Sequence, residues 1–81
     1  AIIMDSYGWL LFKLNKVPEA YQYLQRAYDL EPQAEIAAHL VDVLWLMGEQ
    51  GDARDILSEA LQKNPSDSLL IEVRERLLGN N

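Results

Sequence analysis

The sequence has no cysteine and a single histidine. The first absence removes disulfide bridges and any cysteine-ligated zinc site, and the second leaves metal binding to carboxylates around one imidazole. Basic residues are scarce. Seven lysines and arginines stand against 13 aspartates and glutamates, for a net charge of −6. Nucleic acid demands a basic face and anionic membrane surfaces attract one, so the charge argues against both as partners. No apolar run approaches the length of a membrane span, which argues against direct membrane insertion. No basic stretch leads into an apolar one in the manner of a signal peptide. The missing cysteine selects no compartment. Catalytic machinery is equally thin. Ser6, Ser58, Ser66 and Ser68 occupy no nucleophile elbow, and no GxxxxGK phosphate loop occurs. Asp52 and Asp55 lie at an expected helix start, where negative charge is favourable on its own account. The sequence reads as non-catalytic, with no cofactor.

What is present is a periodic apolar pattern. Hydrophobic residues make up 49% of 81 residues, enough for one small domain with a thin core. Spacings of three and four predict helices over 2–14 (Ile3, Met4, Tyr7, Leu10, Leu11, Leu14), 18–31 (Ala20, Leu24, Ala27, Tyr28), 34–47 (Ile36, Ala37, Leu40, Val41, Leu44, Met47), 52–63 and 67–78 (Leu70, Val73, Leu77). Pro18 suits a first helical turn, Pro32 and Pro65 follow helix ends, and Gly48 is a C-terminal cap with positive φ. Gly51 is read as a second capping residue, and Ser66-Asp67 as a helix start. Gly8 sits inside an apolar face, where only a close neighbour justifies it; the small Ala20 and Ala27 are expected opposite. Tyr28 and Leu30 are expected to help the next hairpin stack. Asn80 and Asn81 are expected to fray.

The second helix has a copy. PEAYQYLQRAYDLEP, from Pro18, recurs as GDARDILSEALQKNP, from Gly51, at an offset of 33 residues. A period of this size made of helix pairs marks a helical repeat array. Short turns make each pair antiparallel. The expected fold is all-α: two hairpins, residues 1–32 and 33–65, and a capping helix, 66–79.

These marks resemble the tetratricopeptide repeat. The first unit matches at Gly8, Ala20, Leu24, Ala27 and Pro32, the second at Leu40, Leu44, Gly48, Ala53, Leu57, Ala60, Leu61 and Pro65. Val41 departs from the usual glycine, Met4 and Ala37 from a common large residue, and Gln50-Gly51 from an aromatic. The resemblance implies a right-handed superhelix and a concave groove, lined by the first helix of each pair, that binds peptides or partner helices. The DSYGW opening and the final short helix look like the C-terminal end of longer bacterial repeat proteins. Some of those are outer-membrane-associated lipoproteins, which points to the periplasm or outer membrane, with the cytoplasm otherwise.

On that groove face the sequence puts Asp5, Trp9, Phe12 and Lys13, then Glu35, Ala38, His39, Asp42 and Trp45. Phe12 and Trp45 hold the same place in consecutive units and are expected side by side, in the groove or packed between neighbouring helices. Aromatics beside acids suit a protein or peptide partner with apolar and basic residues. Family members that clamp a terminal carboxylate use cations and asparagines where this chain has Asp5, Trp9, His39 and Asp42, so that mode is not expected. Glu35, His39 and Asp42 share a face at spacings i, i+4, i+7, but one helix rarely closes a metal site, and they are read as a solvated polar face. As an alternative to partner binding, the unit is the structural end of a longer solenoid. Its apolar edge at Ile2, Ile3 and Tyr7 would be covered by a preceding helix or would pair two copies into a homodimer.

Overall fold

The computed structural model describes residues 2–79, with side chains from Ser6 to Gly79. The expected roles of Ile2, Ile3 and Met4, and the fraying of Asn80 and Asn81, therefore lie outside the described residues. Five helices follow one another among the described residues: α1 Ile2–Lys13, α2 Val17–Leu30, α3 Ala34–Leu46, α4 Gln50–Lys63 and α5 Ser68–Leu78. They form an all-α arrangement of helical hairpins, α1 with α2 and α3 with α4, followed by α5.

The two intra-hairpin turns are built alike. After α1, Asn15 takes φ 69°, its N–H donates to Phe12 O, and Lys16 N–H donates to Leu11 O. After α3, Gly48 takes φ 83°, its N–H donates to Trp45 O, and Glu49 N–H donates to Leu44 O. Both are Schellman caps, in which a left-handed residue returns two N–H groups to the last helical carbonyls. Asparagine at position 15 does the work of glycine because its short polar side chain tolerates that conformation.

Helix α3 is the hub. It contacts each of the other four helices, which explains why Ile36, Ala37, Ala38, Leu40, Val41, Val43 and Leu44 are all buried along it. A one-sided apolar face was expected; a helix enclosed from several directions must be apolar on several. Val43 and Ala38 belong to the core for that reason, and Ala38 is removed from the groove face assigned to it. By contrast α1 buries little. Tyr7, Leu10 and Leu14 are 47%, 52% and 58% exposed, while Gly8 and Leu11 are buried. Gly8 does lie at a close approach, but a Cβ there would meet Leu24 and Tyr23, not the expected alanines.

Helix starts carry few side-chain caps. Lys16, Gln33 and Glu49 precede α2, α3 and α4 without one, whereas Asp67 accepts from Leu70 N–H at 3.1 Å. Tertiary packing, not capping, fixes the first three starts. Gly51 is likewise no cap: α4 begins at Gln50, so Gly51 is a helical residue, and a Cβ there would meet nothing within 4 Å. Gly51→Ala should therefore stabilise the protein by about 0.5–1 kcal/mol, through helix propensity and a less flexible unfolded chain. A thermal melt no higher than that of the parent would count against this assignment.

Between hairpins the apolar packing is joined by a polar contact. The Tyr28 hydroxyl on α2 donates to a carboxylate oxygen of Glu59 on α4. Leu30, given the same stacking role from sequence, is 64% exposed. Burial, then the bond to Glu59 and its negative charge, push the Tyr28 phenol well above its ordinary range. The folded form thus holds a proton that the unfolded chain releases near pH 10. Stability from this group is complete below pH 10 and declines as pH rises beyond it. Tyr28→Phe should flatten that alkaline decline, as measured by urea unfolding at pH 8 and at successive values above 10. An unchanged slope would assign the alkaline loss to other groups.

Candidate functional site

A groove of about 390 Å³ runs along the side formed by α1, α3 and α5. Helix α1 supplies Trp9, Phe12 and Lys13, and α3 supplies Asp42, Trp45 and Leu46. Helical spacing puts each set on one stripe, and the 33-residue offset aligns the stripes: Phe12 with Trp45, Lys13 with Leu46. Five residues assigned to this face from sequence are thus gathered on one surface. Phe12 and Trp45 are both half-buried and also pack against the core, so groove lining and inter-helix packing coexist in the same side chains.

Trp9 is the most engaged of them. Its ring stacks on Phe12 at 4.8 Å between centroids and on His39 at 4.0 Å, and Lys13 Nζ lies 5.4 Å from its centroid. The His39 stack joins α1 to α3, and His39 itself is not among the residues that line this groove. Trp9 is half-buried and lines the groove while its ring is held by these stacked neighbours. The side chain of Asp5 lies outside the described residues. Among the described residues, no cluster of three or more His, Cys, Asp or Glu side chains is placed to hold a metal ion.

Asp42 lines the groove and is already paired. A guanidinium nitrogen of Arg76 lies 3.0 Å from one of its carboxylate oxygens and donates to the other at 3.1 Å. Arg76 and its neighbour Leu77, both from α5, complete the groove wall. Neither was foreseen there, because α5 was read from sequence only as a capping helix. A signal existed: the same offset that relates α1 to α3 maps Val43 onto Arg76 and Leu44 onto Leu77. Helix α5 therefore continues the row of first helices.

The tetratricopeptide repeat family pattern matches residues 11–77 of the chain. The chain belongs to the tetratricopeptide repeat family. Repeats of this family generally mediate protein–protein interaction and are generally non-catalytic. A 38-residue stretch, 47% of this chain, is 44% identical to a TPR repeat-containing protein of Pseudomonas aeruginosa. That stretch is 6% of the relative, so the chain spans a small part of it. Among the described residues, no helix is long and apolar enough to cross a membrane.

Proposed function

We propose that this tetratricopeptide chain is a non-catalytic adaptor unit, with repeats at 1–32 and 33–65 and a final helix at 66–79. Its groove between α1, α3 and α5 takes an apolar segment of a partner protein. The observation that carries the reading is the convergence of Trp9, Phe12 and Trp45 on one groove. Rigid aromatic area of this kind contributes strongly to binding at small ordering cost. A basic residue on the partner reaches Asp42 only by exchange with Arg76, so apolar contact dominates and charge tunes specificity.

Leu46→Asp gives the clean test. Leu46 lines the groove and is 64% exposed, so the substitution puts a charge in the path of the partner without disturbing the core. Capture of the partner by the full protein should weaken roughly tenfold or more, with little change in melting temperature. Trp9→Ala should weaken it too, at a stability cost of about 0.5–1.5 kcal/mol or more from the lost stacking. Undiminished capture by both variants would place the partner elsewhere.

A second reading rests on the exposed strip Tyr7, Leu10 and Leu14 of α1, with Tyr23 of α2 packed edge-on to Tyr7 at 4.8 Å. This apolar edge suits contact with a further helix of the same solenoid or with a second copy. Light scattering across concentration distinguishes self-association from groove binding.

A further inference from the structure

A second groove, also about 390 Å³, opens between α4 and α5, and shares no lining residue with the aromatic one. Leu57, Leu61, Pro65 and Leu78 give it an apolar floor, and Arg54 and Arg74 stand on its walls. The 33-residue offset identifies its counterpart one repeat earlier. There the floor positions are Leu24, Tyr28, Pro32 and Trp45, and the two wall positions are Tyr21 and Val41. Helix α4 lies over that earlier position through side-chain contacts. Glu59 receives the Tyr28 hydrogen bond, and Arg54 lies 5.9 Å from the Trp45 ring. Asp52 and Asp55 line the same narrow cleft as Tyr21.

We infer that the groove between α4 and α5 is a docking seat for an acidic amphipathic helix of a partner protein. Such a helix lies there as α4 lies in the earlier seat. The shape argument is the repeat register: this fold already seats a helix on these positions. The charge argument selects the partner. Two arginines replace the neutral Tyr21 and Val41, in a chain whose net charge is −6. The α4 helix already turns Asp52, Asp55 and Glu59 toward the neutral seat. An occupant of the arginine-walled seat needs apolar residues at helical spacing with carboxylates on both flanks. This site is separate from the aromatic groove, so either proposal stands without the other.

The test uses two synthetic amphipathic helices with the same leucine stripe, one flanked by glutamates and one by lysines. They are titrated into the methyl-labelled protein at its natural length. The glutamate helix should shift the methyl signals of Leu57, Leu61 and Leu78, and the lysine helix should not. Arg74→Glu, at an exposed position, should weaken the glutamate helix roughly tenfold while leaving the circular dichroism spectrum unchanged. Equal binding of both helices, no binding of either, or shifts confined to Trp9 and Trp45 would overturn the inference. So would two other results: methyl shifts that grow with protein concentration alone, which assign the seat to a second copy, or methyls already shielded by a following segment of the same chain.

Discussion

Leu24→Ala should lower the unfolding free energy by about 2–5 kcal/mol and should relieve most of the cost of a second substitution, Gly8→Ala. Leu24 is fully buried at the centre of α2. For a chain of this size the whole stability is on the order of 4–12 kcal/mol, so the single change removes a large share of it. The coupling to Gly8 follows from geometry. A Cβ at Gly8 would stand 2.9 Å from Leu24 Cγ and 3.2 Å from its Cδ2. The Cγ atom is a branch point held on all sides, so relief requires α1 and α2 to part. Overpacking of this kind costs about 1–3 kcal/mol, which meets or exceeds the roughly 1 kcal/mol that alanine gains over glycine in a helix. Once Leu24 is alanine, both obstructing atoms are gone. The nearest remaining atom is Tyr23 Cβ at 3.3 Å, a close but not prohibitive contact, so most of the overpacking cost is relieved. Urea unfolding of the two single variants and the double variant measures this as a cycle. Additive values would mean that the helices do not cross at Gly8 with the closeness described.

Leu70→Asp should have the second largest effect, and a different character. Leu70 is fully buried under α5, where an unpaired carboxylate costs several kcal/mol. Terminal helices can open separately, so the loss is capped by the free energy of detaching α5 from α3 and α4. Detachment uncovers the core beneath α5 and takes Arg76 and Leu77 from the groove. Hydrogen exchange should show lost protection over 68–78 with α1–α4 largely retained, and partner capture should fall although the substitution lies outside the groove. Global unfolding instead would show that α5 is integral to the hairpins and not an added layer.

These two cases show how much the amino-acid pattern settles. The 33-residue echo between Pro18 and Gly51, with alanine at 20, 27, 53 and 60, is a statement about helix pairs that cross closely. Local spacing alone places all five helices to within two residues, because period and punctuation are properties of short segments. It also collects Trp9, Phe12, Lys13, Asp42 and Trp45 on one face, since side chains one repeat apart must align when the units stack.

What short segments cannot encode is enclosure. That α3 is surrounded, burying Val43 and Ala38, depends on where the other four helices, α5 among them, land. The placement of α5 turns Arg76 back onto Asp42 and makes the capping helix the third wall of the groove as well. The stack of His39 on Trp9 and the bond from Tyr28 to Glu59 join residues 30 or so apart, through angles that only packing fixes. The sequence by itself determined the family, the helices and the aromatic stripe, because each repeats at a fixed interval along the chain. The tertiary structure alone decided which polar groups are already paired and which apolar faces are closed. Those outcomes depend on the relative placement of helices, and a one-dimensional period carries no record of it.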